Sequence, residues 1–166
     1  METVNFGSFP RSGNHFFVAV ASKLLVNTNV VWYEHKPFYL LKQKNAVTTI
    51  RNPIEAVHSL CFHTGEIEQN FIDNSLKWYE MYYEKISTSN VFVVPFVKLI
   101  DNPSACFDDI CREYKLNDNA MFNVNVSNII GKEHVDKTIP ISLMENILSS
   151  KMLHNACSLF NKLCNQ

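Results

Sequence analysis

The stretch GSFPRSGNHF, residues 7–16, decides the fold of this chain. It lies where an apolar segment that predicts a buried strand, residues 4–9, gives way to a helical pattern over residues 12–27. The first turn of a helix carries unpaired N–H groups and the positive end of the helix dipole, which together favour an anion. Gly13 lets the backbone approach such an anion closely. The stretch therefore predicts a phosphate-binding loop between a strand and a helix, although an ordinary strand–helix turn with a capping serine has the same local pattern.

Strand and helix patterns alternate along the rest of the chain. Residues 30–35, 46–50 and 91–96 are rich in β-branched and aromatic side chains and predict three more strands. Pro95 predicts that the last of them ends there or lies at a sheet edge. Helices are predicted over residues 52–63, 71–86, 103–114 and 140–163, and the helix over residues 12–27 is expected to be buried all round because it is apolar on nearly every side. This alternation predicts βαβ units, and hence a single α/β domain over residues 1–166 with a mostly parallel central sheet flanked by helices.

Composition and charge exclude several classes of protein. Apolar residues make up 46% of the chain and charged residues 19%, which is typical of a globular domain with a full core. The net charge of −1 and the lack of a basic run argue against a nucleic-acid partner. The longest apolar runs fall short of the roughly 18 residues of a membrane span, so we expect a soluble cytoplasmic protein.

Cysteine and histidine patterns give no indication of a metal site. The five cysteines are odd in number and include no CxxC pair, so they are interpreted as free thiols in a reducing compartment.

The nucleotide-binding Walker A loop has Lys and Ser/Thr after its second glycine, whereas Asn14 and His15 follow Gly13 here. The hydroxyl that would hold Mg²⁺ is thus absent from this position. The sequence therefore favours a phosphate ligand bound without metal, and a P-loop kinase is kept as the weaker alternative.

Several stretches, in the same order, resemble the sulfotransferases that use 3′-phosphoadenosine 5′-phosphosulfate (PAPS). SFPRSGNH, residues 8–15, resembles the family's 5′-phosphosulfate loop, and EHKPFYLL, residues 34–41, resembles the segment around its catalytic histidine. AVTTIRNPIEAVHSL, residues 46–60, resembles the strand, loop and helix that hold the 3′-phosphate, and residues 75–103 resemble the helix and strand that follow. The resemblance covers roughly residues 4–116 and, more loosely, the last helix. It implies a three-layer, P-loop-like domain.

The resemblance also implies roles for individual residues. The donor site would consist of Arg11, Ser12, Gly13, Asn14 and His15 at the phosphosulfate, Phe16 and Phe96 at the adenine, and Arg51 and Ser59 at the 3′-phosphate. His35 would be the general base, and Arg11 would stabilise the charge that develops on the bridging oxygen. The residue types suit these roles, because arginine binds phosphate through two parallel N–H donors and a histidine accepts a proton near neutral pH.

The implied function is transfer of a sulfuryl group from PAPS to a hydroxyl or amine of a small molecule or saccharide, with adenosine 3′,5′-bisphosphate (PAP) as the product and no metal. The alternative is a non-catalytic nucleotide-binding protein that retains the donor site. Two features favour that alternative: the chain is much shorter than the cytosolic family members, and Tyr33 replaces the lysine that usually lies two residues before the base. Ile130-Gly131-Lys132 resembles part of a C-terminal element of the family, which would make Lys132 a further candidate ligand for the 3′-phosphate. Residues 61–70 and 117–137 are expected to border the acceptor pocket.

Overall fold

The structure is a computed structural model that describes residues 2–117 and 141–165. Its elements, in chain order, are β1 (Glu2–Phe6), α1 (Asn14–Leu24), β2 (Thr28–Trp32), α2 (Pro37–Leu40), β3 (Ala46–Ile50), α3 (Pro53–Thr64), α4 (Gln69–Ser87), β4 (Phe92–Pro95), α5 (Phe96–Asp101), α6 (Pro103–Tyr114), α7 (Ile141–Ser149) and α8 (Leu153–Cys164).

The four strands of the described residues form one parallel sheet in the order β2-β1-β3-β4. Parallel neighbours need crossover connections, and the helices supply them. β3 is central, and all five of its residues are buried. Pro95 is the last residue of the edge strand β4, opposite Ile50, which confirms the prediction that a sheet edge or a strand end lies there.

Helices cover both faces of the sheet, so the predicted α/β class with a central parallel sheet is confirmed as a three-layer arrangement. On one face, α1 and α6 pack against residues such as Phe6 and Val47. On the other face, α3, α4, α7 and α8 pack against Ala46 and Ile50. Consecutive residues of β3 therefore point to opposite cores, as the period of two in a strand requires.

Helix α1 differs from the prediction in length and in burial. It spans Asn14–Leu24 rather than residues 12–27, and only one side is buried, for example at Phe17 and Leu24. His15 and Lys23 are exposed. The expectation that α1 is buried on every side was wrong. The helix lies in an outer layer of the three-layer arrangement, where one of its faces contacts solvent although that face carries few charged residues.

The C-terminal segment is two helices where one was predicted over residues 140–163. α7 ends at Ser149, and α8 begins at Leu153. Ser150 is buried at the break, where its Oγ donates to Asp73 Oδ1 at 2.5 Å and accepts from the Met152 N–H at 3.2 Å. A hydrophobic period that continues through such a break does not reveal it, and the hydrogen bond to Asp73 joins residues far apart in the sequence.

Tyr114, the last residue of α6, joins this helix to the beginnings of two strands. Its hydroxyl donates to Ala46 O at 2.5 Å and accepts from the Phe92 N–H at 3.2 Å, and burial raises its pKa to about 12. We expect Tyr114→Phe to lower the free energy of unfolding by about 1–3 kcal/mol, because the Ala46 carbonyl and the Phe92 N–H each lose a hydrogen-bond partner. Thermal unfolding measures this, with Tyr39→Phe as control because Tyr39 is 58% exposed. Equal thermal midpoints for the two variants would contradict the bracing role of Tyr114.

Candidate functional site

The loop between β1 and α1 has a backbone that only certain residues adopt readily. Gly13 precedes α1 with φ of 95°, and Arg11 has φ of 61°. A Cβ atom built on Gly13 would lie 2.3 Å from Cδ2 of the Phe96 ring. Glycine at position 13 is therefore required both by the left-handed backbone and by the ring that packs on it.

Two of the polar residues assigned to the donor site brace the loop from below. Asn14 donates from Nδ2 to Phe9 O at 3.2 Å and accepts a hydrogen bond from the Ser8 hydroxyl. The Ser12 N–H donates to the same Phe9 oxygen at 3.2 Å. Ser12 and Asn14 are both buried, so neither side chain faces solvent.

His15 and Phe16, the next two predicted donor residues, lie on the first turn of α1. His15 is exposed, and its ring lies edge to face with Trp32 at a centroid distance of 5.3 Å. Phe16 is partly buried and lies edge to face with Phe96 at 6.3 Å.

Arg11, Arg51 and Ser59 lie together, although they come from three different elements. Arg11 Nε donates to Ser59 Oγ at 3.1 Å, and Arg51 Nη1 donates to Arg11 O at 3.3 Å. Arg51 directly follows the central strand β3, and Ser59 is on the second turn of α3. The two guanidinium groups and the hydroxyl thus form one cluster beside the loop, which suits a dianionic phosphate.

The Arg51 guanidinium is held in one orientation by its neighbours. Its Nε donates to Glu55 Oε2 at 2.9 Å, and its carbon lies 5.1 Å from the centroid of the Phe96 ring. Its backbone carbonyl accepts from the Tyr79 hydroxyl at 2.7 Å. The Nη edge is left to face the loop, and a preoriented guanidinium loses less conformational entropy when it binds an anion.

His35 also contacts the loop, and this contact defines its tautomer. Its Nδ1 lies 2.8 Å from Ser8 O. A carbonyl oxygen only accepts, so Nδ1 carries the proton, and in the neutral ring Nε2 holds the lone pair. The preceding residue, Glu34, has φ of 51° and turns the chain back towards the loop. The ring is partly buried and lies edge to face with Trp78 at 6.4 Å. Nε2 of His35 is therefore able to accept a proton.

Sequence reasoning missed Glu55 and Phe160. Glu55 lies four residues after Arg51 at the start of a helix, and this spacing was available as a signal. Phe160 carries no local signal, because only the docking of α8 brings it to a cleft shared with Arg51 and Phe96. Phe16 is not among the residues that line this cleft. Lys132 and most of the predicted acceptor border at 117–137 lie outside the described residues.

Ionisable groups away from the loop show the effects of burial. Burial, and secondarily the charge of Arg51, lower the pKa of His58, so this ring is neutral at pH 7. Burial raises the pKa of Cys61 and Cys106 to about 11, so both remain thiols. Among residues 2–117 and 141–165, no group of three His, Cys, Asp or Glu side chains is arranged to hold a metal ion.

Comparison with known proteins found no matching family model and no matching curated protein. In the part of the chain that the structure describes, no helix combines the length and the apolar character needed to cross a bilayer.

Proposed function

We propose that this protein is a sulfotransferase of P-loop-like fold that takes a sulfuryl group from PAPS and transfers it to a hydroxyl or amine acceptor. The observation that carries the proposal is a convergence: side chains from four separate parts of the chain contact the loop over residues 7–16. They are His35 at Ser8, Arg51 and Ser59 at Arg11, and Phe96 at Gly13. These are the positions at which the sulfotransferase resemblance implies a base, two phosphate ligands and an adenine neighbour.

The proposed reaction follows from this arrangement. His35 Nε2 accepts the proton of the acceptor hydroxyl while the acceptor oxygen forms a bond to sulfur. The bond between sulfur and the 5′-phosphate oxygen breaks, and its electron pair remains on that oxygen. Arg11 and the N–H groups at the start of α1 stabilise the charge on the departing phosphate. The products are the sulfated acceptor and PAP, and no metal takes part in this scheme.

A nucleotide-binding protein without transfer activity would share the same donor site. The replacement of the family's usual lysine by Tyr33 favours this alternative, because that lysine stands two residues before the proposed base. The two candidates differ only in turnover. Binding of PAP therefore tests the donor site, and transfer to an acceptor separates the candidates.

We expect PAP to raise the thermal midpoint of the protein, and Arg51→Ala to abolish most of that rise. At a ligand concentration of 100 times Kd, binding stabilises the native state by about 2.7 kcal/mol, which corresponds to roughly 5–10 °C for a chain of this length. Arg112→Ala is the matched control, because Arg112 is an exposed arginine that also pairs with a carboxylate on its own helix. Differential scanning fluorimetry measures both variants.

The donor-site assignment is wrong if millimolar PAP leaves the midpoint of the wild type unchanged. The assignment is also wrong if PAP raises the midpoint of Arg51→Ala as much as it raises the midpoints of the wild type and of the control Arg112→Ala. Arg51 is the arginine that connects the end of β3 to the loop, so its loss should weaken PAP binding.

A further inference from the structure

Two buried tyrosines of α4 contact the carboxyl end of the central strand β3. Tyr79 and Tyr83 are four residues apart, about one helical turn, and neither is exposed to solvent. Their ring centroids lie 4.6 Å apart. The Tyr79 hydroxyl donates to Arg51 O at 2.7 Å, and the Tyr83 hydroxyl donates to Thr49 O at 2.7 Å. One helix thus supplies hydrogen-bond donors to two alternate carbonyl groups at the end of one strand.

Tyr83 takes the place of a backbone donor in the hydrogen-bond ladder between β1 and β3. In this ladder the Gly7 N–H donates to Val47 O at 3.2 Å. Such bonds recur every two residues in a parallel pair, so the next would run from the Phe9 N–H to Thr49 O. The Tyr83 hydroxyl donates to that oxygen instead. Burial raises the pKa of this hydroxyl, and the backbone of Phe9 lies near enough to oppose the rise. The phenol therefore lies between the two strand ends, where the chain of β1 separates from β3 to form the loop.

The loop also contacts α4 through two of its own side chains. Ser12 lies near enough to the Tyr83 hydroxyl to oppose the increase in its pKa that burial causes. The Ser12 N–H donates to Phe9 O at 3.2 Å. The Phe9 ring lies edge to face with the Tyr79 ring at a centroid distance of 5.2 Å. Residues of the loop thus pack directly on the two tyrosines.

Tyr79 acts on the other part of the anion site, at Arg51. This residue follows the last residue of β3 and precedes Asn52, which caps α3, so its carbonyl belongs to neither element. The Tyr79 hydroxyl supplies the donor that a backbone carbonyl at such a junction requires. This hydrogen bond fixes the backbone from which the Arg51 side chain extends, and the Nη1 atom of that side chain donates to Arg11 O at 3.3 Å.

We propose that Tyr79 and Tyr83 are positioning residues of the anion site, with Tyr79 acting through Arg51 and Tyr83 acting through the loop. Both tyrosines are buried, so each holds a group that binds the ligand and does not bind it directly. This inference rests on the proposed nucleotide-binding function. It adds α4, a helix to which no part of the donor site has been assigned.

Isothermal titration calorimetry with PAP and with adenosine 5′-phosphate tests the role of Tyr79, at a temperature where every variant is folded. We expect Tyr79→Phe to lower the affinity for PAP by about three- to tenfold, the usual effect of one hydrogen bond. The affinity for adenosine 5′-phosphate should not change, because this ligand lacks the 3′-phosphate that Arg51 is proposed to bind. A general loss of stability would lower both affinities alike, so their ratio separates positioning from a purely structural role.

Tyr83→Phe should lower the affinity for both ligands by about three- to tenfold, because both carry the 5′-phosphate that the loop is proposed to bind. Tyr114→Phe is the control for stability, since Tyr114 donates a comparable hydrogen bond to Ala46 O at the other end of β3. Tyr82→Phe is the control on α4. Tyr82 is buried there, and its hydroxyl donates to neither Arg51 nor the loop within the described residues. Both controls should bind the two ligands as the wild type does.

Three results would overturn the inference while PAP still binds the wild type, and in each case the donor site stands. The first is that Tyr79→Phe and Tyr83→Phe bind PAP as tightly as the wild type. The second is that Tyr79→Phe loses affinity for both ligands by the same factor. The third is that Tyr114→Phe weakens binding as much as Tyr83→Phe does. If neither ligand binds the wild type, the proposed function and this inference are both wrong.

Discussion

His35→Ala is expected to lower the rate of sulfuryl transfer by about 10²- to 10⁴-fold, the usual contribution of a general base. The reason is geometric, because the hydrogen bond from Nδ1 to Ser8 O leaves Nε2 as the proton acceptor. PAP should bind this variant as tightly as the wild type, since His35 contacts the loop backbone and not the arginine cluster. A radiolabelled-donor assay over a panel of hydroxyl and amine acceptors measures the rate, and calorimetry measures the binding of PAP.

His35→Asn separates the base from its bracing contact. An asparagine amide is able to donate to Ser8 O where Nδ1 does, but it has no group in the place of Nε2. We expect this variant to keep the wild-type thermal midpoint and to lose transfer activity as His35→Ala does. His63→Ala is the control, because His63 is exposed near the end of α3.

The outcome also decides between the two proposed functions. Transfer that survives in both His35 variants would show that His35 is not the base. Absence of transfer by the wild type to every acceptor, together with tight binding of PAP, would favour the non-catalytic nucleotide-binding protein.

Gly13→Ala is expected to destabilise the folded protein strongly. The methyl group would meet the Phe96 ring at 2.3 Å on a backbone with φ of 95°. The left-handed backbone and the overpacking together cost about 2–5 kcal/mol, or roughly 5–15 °C in the thermal midpoint. Thermal and urea unfolding measure the change.

Gly65→Ala is the matched control for this substitution. Gly65 also has a positive φ, 78°, but a Cβ there has no heavy atom within 4 Å. Its cost should be the backbone term alone, about 1–2 kcal/mol. Gly13→Ala should cost less free energy of unfolding in a protein that already carries Phe96→Ala than in the wild type. The difference is the steric part of the loss, because the ring that the new methyl group would meet is then absent. If Gly13→Ala costs no more than Gly65→Ala, the Phe96 ring does not pack on the loop.

The predictions from sequence succeeded where a local pattern carries the information. β3 and α6 begin and end at the predicted residues, and Pro95 ends the edge strand. β1 and β2 each end three residues before the predicted strand end. At both places the chain leaves the sheet and continues as a loop. There the Tyr33 N–H donates to Phe6 O at 2.7 Å, and the Ser8 N–H donates to Glu34 O at 3.2 Å. Hydrogen bonds at the end of a strand and between the loops that follow leave no periodic trace in the sequence.

The residues of the candidate site were likewise predicted only in part. The sequence indicated the loop, both arginines and His35, since each follows a predicted strand at the same edge of the sheet, whereas Ser59 was indicated only by the resemblance to the sulfotransferases. It did not indicate that the Ser12 and Asn14 side chains would be buried beneath the loop.

By itself, then, the sequence determined the α/β class and the position of a glycine-bearing loop at the start of α1. Hydrophobic period, β-branched segments and the backbone freedom of Gly13 act over a few residues and can be read one segment at a time. Only the tertiary structure decided that Glu55 and Phe96 orient Arg51, that Ser8 defines the tautomer of His35, and that Phe160 lines the cleft. These contacts arise when whole helices dock on the sheet and bring distant side chains together. A single sequence gives the identity of each side chain but not the distances between side chains in the folded protein.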